Sequence, residues 1–167
     1  IFFSDNGGGG AADNMPLRGK KGQMFEGGIR VPCIVRWPDK IPESTTTDEF
    51  ITSLEIFPML CNASDTALPK NVKLDGFDML PILMGKQKSP RSEMFWQRRN
   101  DRGARVDNWK WVKSSRGTGL FDLRTDISER RDLSKERPDI LKRVKARFAN
   151  WERQMKAAEP RGPFRDY

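Results

Sequence analysis

Histidine is absent from this 167-residue chain, and cysteine occurs only twice. Without an imidazole, the chain supplies neither a histidine-ligated metal nor histidine acid–base chemistry. Cys33 and Cys61 lack the close pairing that marks zinc sites. Each lies in an apolar stretch, so the expectation is two buried free thiols rather than a disulfide. Long apolar runs are also missing, so no membrane-spanning helix of the usual length is expected. Hydrophobic residues make up only 36% of the chain, and mean hydropathy is −0.73. That is lean for an independent core, although the length suits one domain that buries roughly two-thirds of its unfolded surface. No leader peptide and no methionine open the chain, which begins at Ile1 inside what reads as a strand. The expectation is a fragment of a longer protein.

Charge, by contrast, is plentiful. Lysine and arginine total 31 against 23 aspartates and glutamates, a net charge of +8. Such a field favours anionic partners, among them nucleic acid, sulfated glycans and anionic lipid, without choosing between them. The candidate chemistry lies at the start. Ile1 to Phe3 reads as the end of a buried strand, followed by Ser4, Asp5, Asn6 and four glycines, Gly7 to Gly10. In open α/β sheets, ligands bind beyond the carboxyl ends of strands. Asp5 and Asn6 offer two hard oxygen donors there, which suits Ca²⁺ or Mg²⁺ and not zinc. Lys21, between Gly19 and Gly22, adds an ammonium on a backbone with room for a small anion.

Farther along, Met24-Phe25 and Ile29 to Trp37 read as a second buried strand with Pro32 near its start. Thr52 to Cys61 reads as a short amphipathic helix capped by Thr52 or Ser53. Leu54, Phe57 and Cys61 fall on its apolar face, and Pro58 marks a kink or a second start. Asp75 and Asp78 are assigned to capping and turn hydrogen bonds. From Glu93 the texture changes to short aromatic-rich segments separated by Gly, Asn and Asp, a small antiparallel sheet. Within it the alternation of residues 109–113 puts Trp109, Trp111 and Lys113 on one face, and Lys110 and Val112 on the other. A helix from about Asp139 to Lys156 carries Leu141, Val144, Phe148, Trp151 and Met155 as one apolar stripe, which is core.

The opening stretch carries a resemblance. Ser4-Asp5-Asn6-Gly7, then Asn14-Met15-Pro16-Leu17-Arg18-Gly19-Lys20-Lys21-Gly22 and Glu26-Gly27-Gly28-Ile29-Arg30-Val31-Pro32, resembles the sulfatase family, the formylglycine-dependent sulfuric ester hydrolases. The likeness continues to about residue 156. It implies an α/β fold of alkaline-phosphatase type, of which this chain holds the end. A small C-terminal antiparallel sheet packed with a helix follows. Residues 1–88 are then the closing part of the catalytic domain, 89–158 its C-terminal subdomain, and 159–167 a loose tail.

In that family a cysteine or serine within Cys/Ser-x-Pro-x-Arg becomes the formylglycine nucleophile, and Ca²⁺ holds it against the sulfate. This chain contains no such motif, so the resemblance places nucleophile and remaining metal ligands upstream. It makes Asp5 and Asn6 the downstream metal ligands, for Ca²⁺ or alternatively Mg²⁺. It makes Lys21 the catalytic, substrate-binding lysine that contacts the sulfate, with the neighbouring Lys20 one register away. Glu26 and Arg30 read as an opposite-charge pair fastening the loop around Gly27-Gly28, while Arg18 has either role. In Gln97 to Gly103, Arg98, Arg99 or Arg102 can read further anionic groups of the substrate.

The expected function is the C-terminal fragment of a sulfatase acting on a carbohydrate or aryl sulfate ester. Its expected partners are that substrate and the missing N-terminal part, with no nucleic acid and no membrane span. The isolated chain is expected to be inactive and marginally folded. By resemblance the location is extracytoplasmic, periplasmic or secreted. Two alternatives stand: a phosphate mono- or diester hydrolase of the same superfamily, and a basic, Trp-rich module that binds nucleic acid or another polyanion.

Overall fold

The computed structural model describes residues 1–158; the expected loose tail, 159–167, lies outside them. In chain order the elements are β1 (Phe2–Phe3), α1 (Glu26–Ile29), β2 (Cys33–Ile34), a 3₁₀ turn (Ser53–Glu55), α2 (Ile56–Ala63), α3 (Leu80–Leu83), strands β3 (Glu93–Arg98), β4 (Asp101–Val106), β5 (Trp109–Ser114) and β6 (Gly117–Asp122), and α4 (Pro138–Ala157). They form two compact units. One contains Ile34–Ser92. The other joins Phe2–Cys33 to the residues from Glu93 onward.

In the first unit, Met59 of α2 and Met79 and Ile82 of the α3 region form the core. Thr52 caps the 3₁₀ turn in a capping box with Glu55, which satisfies two backbone N–H groups at a helix start. Glu55 is fully buried and its carboxylate pairs with the Arg91 guanidinium. Pro58 falls in the first turn of α2, where an N–H would have no partner within the helix. The buried residues of α2 are Pro58, Met59 and Cys61. Leu54 and Phe57 are exposed, contrary to the apolar face expected from the sequence. The leading 3₁₀ turn winds three residues per turn instead of 3.6, which shifts the phase of everything after it. Asp78 behaves as expected: Oδ1 accepts from Leu80 N at 2.9 Å, and Oδ2 accepts from Asn62 Nδ2 at 2.6 Å.

The second unit is built on a four-stranded antiparallel meander, β3-β4-β5-β6. Strand alternation divides its side chains between two layers. Phe95, Ala104, Val106, Trp111 and Leu120 face Val144 and Phe148 of α4. Val112 and Phe121 face Met24 and Phe25 of the opening segment. The register sets Lys110 opposite Phe121 and Trp111 opposite Leu120, so Lys110 lies on the side of the opening segment. Helix α4 starts at Pro138, where proline fits because its missing N–H would be unpaired there. Arg147 of α4 grips Glu93 of β3 through two hydrogen bonds, at 2.7 and 2.6 Å.

Three expectations fail here. Residues 24–37 are not a continuous buried strand: Glu26–Ile29 is one helical turn, and only Cys33–Ile34 is strand. The Glu129 carboxylate accepts from Glu26 N at 2.7 Å, capping the turn from outside. The opening strand is likewise not buried, since Phe2 and Phe3 are 63% and 41% exposed. Within the described residues β1 pairs only with β2, so no sheet layer covers it. Cys33 is exposed, against the expected buried thiol, because its strand has no covering layer; Cys61 is buried, and both thiols are free.

Candidate functional site

The segment after β1 is folded by its own polar groups. Ser4 Oγ donates to Asn6 O at 2.8 Å, and Gly7 N donates to Gly28 O at 3.0 Å. A Cβ at Gly7 would stand 1.9 Å from Gly27 O, so only glycine permits this approach. Asn14 then clamps two loops together. Its Oδ1 accepts from Gly8 N at 3.0 Å, and its Nδ2 donates to Gly8 O at 3.0 Å and Gly19 O at 3.2 Å.

Lys21 is brought to the same place. Its backbone N donates to Gly8 O at 3.0 Å, and its stem lies over Gly9, where an added Cβ would be 3.3 Å from Lys21 Cβ. Lys20 goes elsewhere, lining a pocket with Ala12, Asp13, Asn14 and Gln23. The sequence-predicted Asp5, Asn6 and Lys21 are therefore held on two loops joined at Gly8. Asp5 and Lys21 are exposed and Asn6 is half-buried.

The donor set at Asp5 and Asn6 is a carboxylate oxygen and a carboxamide oxygen, the chemistry of a hard cation. Among the described residues no group of three or more His, Cys, Asp or Glu is placed to hold a metal. Ca²⁺ takes about six to eight oxygens, so this chain offers part of a shell. The residues fit the group without completing it.

Beneath this loop lies a buried charge network that the sequence reading missed. Lys110 Nζ is 2.8 Å from Glu26 Oε1 and 3.8 Å from Glu129 Oε1. All three side chains are almost wholly inaccessible. The expected Glu26–Arg30 pair exists at 3.7 Å, but Arg30 is largely exposed and Lys110 is the main partner. Arg18, for which the sequence allows either role, is structural. Its Nη1 donates to Glu129 O at 2.9 Å, and its guanidinium sits 4.0 Å over the Phe25 ring.

Two carboxylates around one ammonium cannot both be charged at no cost. Burial works to raise the Glu26 carboxyl, but the attraction and hydrogen bond of Lys110, helped by Arg105 and Arg30, hold it below its ordinary value. Burial pushes Glu129 up to about 7, and Lys110 only partly opposes this. Glu129 Oε1 has no hydrogen-bond partner, as befits the weaker claimant on the ammonium. One signal was legible: the alternation that put Lys110 beside Val112 set a lysine on an apolar face.

The arginine cluster of 97–103 is the β3–β4 turn, with Arg99 at φ +52°. Arg102 is occupied, donating to Arg99 O at 2.6 Å and Asp101 O at 3.2 Å and pairing with Glu152 at 3.5 Å. Arg98 instead reaches Gly22.

Comparison with known proteins agrees with this architecture. A family model described as N-sulphoglucosamine sulphohydrolase, C-terminal, matches residues 19–154. Human arylsulfatase A is 44% identical over 80 residues, covering 48% of this chain and 15% of that protein. The N-acetylgalactosamine-6-O-sulfatase of Bacteroides thetaiotaomicron is 28% identical over 144 residues, 76% of this chain and 28% of that one. The crystal structure of Ps i-CgsB in complex with k-i-k-neocarrahexaose superposes with a TM-score of 0.80 at 29% identity, over 90% of this chain and 35% of that chain. This chain thus spans about a third or less of the length of these relatives. By the family match over residues 19–154, the chain belongs to the sulfatases and corresponds to their C-terminal part.

Proposed function

We propose that this chain forms one wall of a sulfatase active site, in an enzyme that hydrolyses a carbohydrate or aryl sulfate ester. The observation that carries the proposal is the hydrogen bond from Lys21 N to Gly8 O, 3.0 Å. It holds the backbone of an exposed lysine beside the turn that carries Asp5 and Asn6. In this reading the nucleophile, a formylglycine, and the other metal ligands come from the upstream part of the same protein. A bound Ca²⁺, or Mg²⁺ in its place, would polarise a sulfate oxygen and lower the charge to be accommodated at the ester.

This chain's own residues then divide the work. Asp5 and Asn6 would hold the cation. Lys21 binds the sulfate, and its positive charge offsets the negative charge that builds on the bridging oxygen as the alcohol departs. Gly7 keeps the turn pressed on Gly27-Gly28, which fixes the backbone that carries Asp5 and Asn6. Lys20, on the pocket side of the loop, takes no part. The enzyme acts outside the cytoplasm, a reading that rests on the family alone. Among the described residues no helix is long and apolar enough to cross a membrane.

Three of the five tryptophans speak against the nucleic-acid alternative. Trp109, Trp111 and Trp151 belong to the core cluster against α4, leaving them unavailable as stacking platforms. The phosphate-ester alternative has no observation in its favour, and the relatives compared above carry sulfatase names.

The test is Lys21→Ala in the full-length protein, assayed on a simple aryl sulfate beside Lys20→Ala. We expect Lys21→Ala to lower kcat by on the order of a hundredfold or more, and Lys20→Ala to change it by less than severalfold. Equal turnover in Lys21→Ala and the parent would overturn the assignment.

A further inference from the structure

Arg98, the last residue of β3, lies against the Lys21 loop. A Cβ built on Gly22 would stand 3.6 Å from Arg98 Nη1 and 3.7 Å from its Cζ. Gly22 has φ +83°, a conformation that side-chain-bearing residues rarely adopt. The backbone next to Lys21 is therefore bare where the guanidinium comes to rest. Arg98 and Lys21 are both exposed. Among the described residues neither side chain has a carboxylate or other hydrogen-bond partner, in contrast to those of Arg102 and Arg147, which are paired. Two exposed cations, one on the Lys21 loop and one resting against its Gly22, make a positive edge that favours an anionic group. A guanidinium presents a planar fork matched to two oxygens of one oxyanion, whereas an ammonium acts as a point charge.

We infer that Arg98 is a specificity-determining residue that grips a second anionic group of the substrate, a sulfate or a carboxylate, next to the sulfate held by Lys21. The substrate class is then a multiply charged saccharide, and an aryl monosulfate uses only part of the site. The inference rests on the sulfatase reading of the Lys21 loop and deepens it. Arg99 and Arg102 do not share the role. Arg99 holds the left-handed position of the turn, and Arg102 is bound to its own turn and to Glu152.

The experiment measures kcat/KM of the full-length enzyme for three substrates. These are an aryl monosulfate, a disulfated disaccharide, and a monosulfated disaccharide that carries a uronate carboxylate. In Arg98→Gln the ratio of kcat/KM for the dianionic sugars over the aryl ester should fall about ten- to a hundredfold, mainly through KM. Arg98→Lys should recover part of it. A fall with only one of the two sugars identifies the second group as sulfate or as carboxylate. A ratio that stays within twofold on both sugars makes Arg98 a surface arginine only and overturns the inference.

Lys21→Ala in the same assay lowers kcat on all three substrates if the underlying reading holds. If it does not, that reading fails whatever Arg98→Gln does. Calorimetric binding of the disulfated disaccharide to the parent and to Arg98→Gln reads the anion site independently of turnover. Equal affinity there also overturns the inference.

Discussion

Lys21 and Lys110 lie in the same compact unit and flank the same glycine-rich segment, yet they live in opposite circumstances. Lys21 stands exposed on a loop, its stem over Gly9. Lys110 is sealed beneath that loop with no exposure, between Glu26 and Glu129. A charge in water is cheap to hold and available to a ligand. A charge in the interior persists only when partners surround it, and those partners then depend on it. The difference separates function from support: in the proposed reading the upper lysine meets an anion, while the lower one fastens the loop to the sheet.

The largest effect should come from breaking the lower site. Lys110→Met leaves two buried carboxyl groups without their cation and should cost about 3–5 kcal/mol of unfolding free energy, read from denaturant midpoints. Adding Glu26→Gln to that variant should restore much of the loss. If Lys110→Met unfolds at the parent's midpoint, the contrast between the two lysines collapses.

A middle-sized effect follows from Glu129. Its carboxyl is raised from an ordinary 4.5 to about 7. Between those values the folded chain holds a proton that the unfolded chain has released. The contribution is therefore complete below about pH 4.5 and is lost as pH rises through 7, with a slope of at most about 1.4 kcal/mol per pH unit. Glu129→Gln should flatten stability across that window. Glu26 has the opposite sign. Its carboxyl is held low, so its contribution is in place above the ordinary carboxylate range and fades as pH falls below it.

The smallest effect sharpens the comparison from the other side. Lys21→Ala should change unfolding free energy by less than about 0.5 kcal/mol, measured in the same denaturant series, while its turnover falls as predicted above. A large stability loss there would make Lys21 a support like Lys110.

Much of the candidate site was legible because it is local. Asp5 and Asn6 are adjacent, and the glycines around Lys21 announce tight backbone. The meander and α4 were legible as well, since alternation and the stripe through Val144 and Phe148 are short-range patterns. The strand expected over Met24-Phe25 and Ile29 to Trp37 survives only at Cys33–Ile34, and a carboxylate from residue 129 caps the helical turn that begins at Glu26. The face of α2 was misread because a 3₁₀ turn precedes it. Met155, placed in the apolar stripe of α4, is 42% exposed, since α4 packs on β4 and β5 and its last turn lies past that contact.

Sequence alone therefore determined the residues that offer oxygen and positive charge, the strand periods of the sheet and the apolar stripe of its helix. Each of these depends on neighbours within a few positions. Tertiary structure decided which charges are spent and which are available. Glu26, Lys110 and Glu129 meet across long separations of chain, and Arg98 reaches Gly22 only because the meander folds back over the opening segment. Burial and pairing are properties of that meeting, and they set the cost of a charge far more strongly than the residue type does.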